Sequence, residues 1–152
     1  MDKQQDKNWE NQNFFVRYAK KYIDFRMGLA GAVVMAIIVF IINFDRGGWF
    51  WASIAALKQG SYTFLFGGVI MRMSELLSVN IKAKTKALIA ACVLPSILSL
   101  TLTFGMHSLK GTPKPVQSTI PTAIFVIPST AVWGVINRRK KDKKLQTKSA
   151  TI

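Results

Sequence analysis

Long apolar runs alternate with short polar connections along this chain. Four runs stand out, at about residues 27–44, 49–72, 87–106 and 120–137. At ~1.5 Å of rise per residue, a helix of about 18 residues covers ~27 Å, close to the ~30 Å hydrocarbon core of a bilayer. The pattern predicts an all-α polytopic integral membrane protein with four transmembrane helices. The first run, MGLAGAVVMAIIVFIINF, is too long for the apolar core of a typical leader and follows a basic, aromatic stretch, so it reads as an uncleaved span.

Within the runs, small residues recur at helical spacing. Gly28, Ala32 and Ala36 flatten one face of the first span, and Ala52, Ala56 and Gly60 do the same for the second. Flat faces allow close backbone approach where lipid gives no hydrophobic drive, so these two helices are expected to pack together. Trp49 and Trp51 suit the outer interface at the start of the second span. In the third, Cys92, Ser96, Ser99 and Thr103 lie along one face, and Pro95 frees the carbonyl of Ala91. Pro121 suits the first turn of the fourth span, whereas Pro128 near its middle predicts a bend. The connection from His107 to Thr119 contains Gly111, Pro113 and Pro115 and is expected to be an irregular loop.

Charge orders these elements across the membrane. Lys3, Lys7, Arg17, Lys20, Lys21 and Arg26 precede the first span; Arg72, Lys82, Lys84 and Lys86 lie between the second and third; Arg138, Arg139, Lys140, Lys141, Lys143, Lys144 and Lys148 follow the fourth. The other two connections carry only Arg46, Lys110 and Lys114. Basic loops remain on the side of synthesis, which places both termini in the cytoplasm and suits a bacterial inner membrane. A net charge of +14 in a soluble chain would suggest nucleic acid, but here the charge flanks the spans, so no nucleic-acid partner is expected. Anionic lipid headgroups at the cytoplasmic face are the expected counter-charge.

The flanks complete a three-part organisation. Residues 1–26 form a cytoplasmic arm in which Phe14, Phe15, Tyr18, Tyr22 and Phe25 fall at near-helical spacing among basic residues, the pattern of a short interfacial amphipathic helix. Residues 27–137 are the membrane domain. Residues 138–152 are a basic cytoplasmic tail whose end, QTKSATI, is expected to be disordered.

Little in the sequence suggests catalysis. His107 is the sole histidine and has no carboxylate neighbour, so no metal site is expected. Cys92, the sole cysteine, can form no intramolecular disulfide and has no base at its depth. Gly47-Gly48 and Gly67-Gly68 read as turn or packing residues, and no cofactor is implied.

Lys58 is the exception to an otherwise bland interior. It lies ~13 Å into the second span, where an ionised side chain costs roughly 2.5 to 3.5 kcal/mol on insertion scales. The acidic residues are Asp2, Asp6, Glu10, Asp24, Asp45, Glu75 and Asp142, all outside the spans. Lys58 therefore snorkels outward, loses its proton, faces a wet vestibule or meets an anion from outside the chain. Depth counting puts Ser96, Ser99 and Ser129 near its level, with Gln59 and Tyr62 beside it, so these six residues form the candidate binding site. An alternative in which residues 47–57 are interfacial or re-entrant would leave residues 59–73 only ~22 Å of helix, short of a crossing.

Two functional readings follow. In one, the chain is a non-catalytic accessory, assembly or regulatory membrane component that pairs with itself or with a larger membrane protein. In the other, it is a carrier or lipid-handling protein that binds an anionic headgroup or small organic anion at Lys58. The first asks less of the sequence.

Overall fold

Apolar runs in lipid must satisfy their backbone groups internally, and helices result. The computed structural model describes residue 16, residues 18–111 and residues 113–150, and among these only helices and short connections occur. Among the described residues, three helices are long and apolar enough to cross a membrane: Phe25–Asp45, Lys84–Leu109 and Pro115–Ser149. The described residues pack as two units, Met1–Val69 and Ile70–Ile152.

In the first unit, residues 18–22 are helical and the chain extends at Ile23 and Asp24. Tyr18, Tyr22 and Phe25 are exposed; Phe14 and Phe15 lie outside the described residues. Asp24 caps helix α1, Phe25–Tyr62, its carboxylate accepting from the amides of Arg26 and Met27 at 3.1 Å each. Gly48, at φ 64° and ψ −178°, divides α1 into two limbs. A side chain is disfavoured in that conformation, which explains why the turn uses glycine.

The limbs meet on their small faces. Ala32, Ala52 and Ala56 are buried, and a Cβ on Gly60 would lie 3.4 Å from both the Ala32 carbonyl oxygen and the Ala36 Cβ. A π-helical turn, Thr63–Gly67, follows α1 and widens the backbone opposite Gly28. Gly28 has no side chain there, and a Cβ at that position would fall 2.7 Å from the Phe64 carbonyl oxygen. The amide of Asp24 donates to the Gly68 carbonyl at 2.9 Å.

Residues 49–72, expected as one uniform span, divide between the second limb of α1, the π-helical turn and the start of helix α2, Gly68–Asn80. Lys58 and Gln59 lower the apolarity of that stretch, and the π turn interrupts its α-helical ladder.

In the second unit, α2 is joined by helix α3, Lys84–Leu109, and helix α4, Pro115–Ala150. Its core is made of small side chains: Ala87, Ala91, Ser74, Ser78 and Thr130 are all fully buried. Two expectations are corrected here. The irregular loop expected from His107 to Thr119 is much shorter, because α3 persists to Leu109, Gly111 turns the chain at φ 66°, and α4 begins at Pro115. Proline lacks only an N–H that would be unpaired at a first helical position. The tail is helical to Ala150, supported by the Arg138–Asp142 pair and by the Thr147 hydroxyl on the Lys143 carbonyl. Pro95 and Pro128 sit within helices that continue past them.

Candidate functional site

A buried hydroxyl needs a partner, and in the second unit these partners converge on Thr130. Its own hydroxyl lies 2.9 Å from the Val126 carbonyl and 3.1 Å from that of Ile127. One hydroxyl proton serves one strong bond, so the 3.1 Å contact with Ser96 Oγ is best made with Ser96 donating. From α2, the Ser74 hydroxyl donates to the Thr130 carbonyl at 3.0 Å. The Cys92 thiol approaches the Ile127 carbonyl at 3.8 Å, next to Pro128. One turn further, Gly134 brings α3 and α4 together: a Cβ there would lie 3.0 Å from the Ala91 Cβ and 3.6 Å from Ser74 Oγ. Hydroxyls and small residues thus tie α2, α3 and α4 into one seam.

The same face of α4 next presents Arg138. Its guanidinium donates to the carbonyls of Ile81 at 2.6 Å, Lys82 at 2.8 Å and Ser78 at 3.3 Å, while Nε pairs with Asp142 at 3.2 Å. Lys141 Nζ adds a bond to the Val79 carbonyl at 2.6 Å. The final carbonyls of a helix have no intrahelical donors and carry its negative end. Arg138 and Lys141 supply those donors to α2 and its following turn. Two members of the basic cluster are therefore structural, and Arg139, Lys140, Lys143, Lys144 and Lys148 remain exposed. The Trp133 indole N–H is buried without a hydrogen-bond partner, and Lys140 Nζ lies 5.5 Å from the ring centroid.

The six candidate binding residues occupy different settings. Lys58 is exposed on the second limb of α1, turned away from the face of Ala52, Ala56 and Gly60. Gln59 is half-buried and its amide reaches Thr63 Oγ1 at 3.4 Å; Tyr62 is exposed. In the second unit, Ser96 is buried in the seam, Ser99 is half-buried and Ser129 is exposed. The seam joins Ser96 to Thr130, the neighbour of Ser129. Ser74, Ser78, Gly134 and Arg138 were not singled out from sequence, although spacings of four (Ser74, Ser78; Thr130, Gly134, Arg138) mark them as sharing faces. Among the described residues, no group of three or more His, Cys, Asp or Glu side chains could hold a metal ion.

A scan against protein-family models, a search of curated proteins and a search of solved structures each returned no match.

Proposed function

We propose that this chain is a four-crossing membrane protein, with both ends on the cytoplasmic side of a bacterial inner membrane, that serves as a non-catalytic accessory, assembly or regulatory component. Three apolar helices and the alternation of basic connections support the membrane topology. The second limb of α1 with the start of α2 supplies the fourth crossing. The observation that carries the functional reading is how the buried polar groups of the second unit are used. Ser74, Ser96, Thr130 and Arg138 bond to other helices, so this chemistry builds a rigid scaffold. The exposed Lys and Arg side chains beyond Asn137 face anionic headgroups at the cytoplasmic surface, at about 1 kcal/mol each.

Purification of the full chain from its source membrane in mild detergent tests this reading. A stoichiometric membrane-protein partner is the expected result. A clean monomer or homodimer would count against it.

A further inference from the structure

Given the accessory reading, on which this inference rests, we infer that the exposed face of α1 around Lys58 docks a transmembrane helix of a partner protein through an Asp or Glu embedded in that helix. Ser61, Tyr62 and Leu65 lie three, four and seven residues after Lys58, and all four are exposed. They run along the second limb of α1 into the π-helical turn, where Leu65 lies, on the side opposite the small-residue face packed against the first limb. The stripe combines one cation, one small and one ring hydroxyl, and one aliphatic side chain. A helix–helix surface in lipid has this composition.

Charge selects the occupant. Lys58 lies ~13 Å below the level of Trp49, and its stem spans only about half that depth, so snorkelling leaves the ammonium short of the headgroups. Lipid phosphates do not reach this level. Each acidic residue in the sequence lies outside the apolar runs, so the counter-charge comes from another chain. A carboxylate on a neighbouring helix at the same depth neutralises the cation and converts an insertion cost into partner selectivity. A free organic anion would also need polar co-ligands. The adjacent groups are already engaged: the Ser61 hydroxyl donates to the Leu57 carbonyl at 2.9 Å, and the Gln59 amide reaches Thr63. The face thus fits a helix carrying one carboxylate better than a small hydrated ligand.

The test compares the full-length wild-type chain with Lys58→Met and Lys58→Arg, each purified from the source membrane in mild detergent, with bound protein and lipid quantified by mass spectrometry. Wild type and Lys58→Arg should retain a stoichiometric partner whose sequence places Asp or Glu within an apolar span, and Lys58→Met should lose it at least tenfold. Exchanging the two charges, with Lys58→Glu here and the partner's carboxylate changed to Lys, should restore the pair. Equal recovery of the partner with wild type and Lys58→Met would overturn the inference and leave the accessory reading intact. No protein partner with wild type would overturn both. A change confined to bound phospholipid or organic anion would overturn the inference in favour of the carrier reading. Should Lys58→Met fail to insert, a benzophenone side chain at Tyr62 or Leu65 of the otherwise wild-type chain should cross-link the same partner, while one at Leu29 should not; adducts to lipid alone would overturn the inference.

Discussion

Ser74 and Thr130 stand 56 positions apart in sequence, yet the hydroxyl of the first donates to the backbone carbonyl of the second at 3.0 Å. The Thr130 side chain, meanwhile, accepts from Ser96 on α3. One residue therefore joins three helices through its backbone on one side and its side chain on the other. Thr130→Val preserves the β-branched shape and deletes only the hydroxyl, leaving Ser96 Oγ buried without its partner. We expect Thr130→Val and Ser96→Ala each to cost about 1 kcal/mol, with the double variant costing less than their sum by about 0.5–1.5 kcal/mol. Ser74→Ala, which touches the backbone carbonyl instead, should lose about 0.6–1 kcal/mol, additively with Ser96→Ala. Reversible unfolding in mixed micelles measures the three single and two double variants.

Arg138 carries a larger share. Its guanidinium covers three carbonyls at and beyond the end of α2, and the residue is only 7% exposed. Arg138→Met would leave those acceptors without their strongest donor, at a cost on the order of 2–3 kcal/mol. Arg138→Lys should recover only part of this, because one ammonium cannot reproduce the planar fork that reaches Ser78, Ile81 and Lys82 together. Arg139→Met, one position on and exposed, should change stability by less than about 0.5 kcal/mol. The three variants side by side in the same unfolding assay separate clamp from surface charge.

Glycine positions give a sign test of packing. A Cβ on Gly28 would meet the Phe64 carbonyl oxygen at 2.7 Å and the Gly68 Cα at 3.2 Å, both backbone atoms that cannot rotate away. Gly28→Ala should therefore destabilise by about 1–3 kcal/mol despite the better helix propensity of alanine. Gly105, also helical, has nothing within 4 Å of its hypothetical Cβ. Gly105→Ala should be neutral or stabilising by up to about 1 kcal/mol. Opposite signs in tryptophan-monitored unfolding are the expected outcome; equal effects would show that the first limb of α1 does not approach Phe64 and Gly68 as closely as described.

Much of this architecture is written in residue spacing. Gly28, Ala32 and Ala36 against Ala52, Ala56 and Gly60 declared the contact between the limbs of α1, because a four-residue period in a helix is a face. What spacing does not give is azimuth between helices. Depth counting selected Ser129, while the structure turns its neighbour Thr130 into the seam, a rotation of about 100° at almost the same depth. The Arg138 clamp was hidden for a related reason. In a run of basic residues nothing local separates a donor to α2 carbonyls from a headgroup contact, and only its phase relative to Thr130 and Gly134 does so. The π-helical turn at Thr63–Gly67 has no signal in composition, and its close approach to Gly28 joins positions far apart in sequence.

The number of crossings is directly measurable. Cytoplasmic placement of both ends requires an even number, and among the described residues three helices, Phe25–Asp45, Lys84–Leu109 and Pro115–Ser149, are long and apolar enough to cross. On the proposed topology the fourth is assigned to the second limb of α1 and the residues following it, where Lys58 and the π turn interrupt the apolar helix. In a Cys92→Ala background, cysteines at Asp45 and Lys114 should react with a membrane-impermeant maleimide in intact cells. Cysteines at Asn80 and Leu145 should react only after the membrane is opened. Labelling of both Asn80→Cys and Leu145→Cys from outside, with Lys114→Cys protected, would mean that residues 49–72 do not cross and that three spans divide the chain. Lys58 would then sit near the outer headgroups, its charge would need no partner carboxylate, and the docking face would be an ordinary interfacial surface.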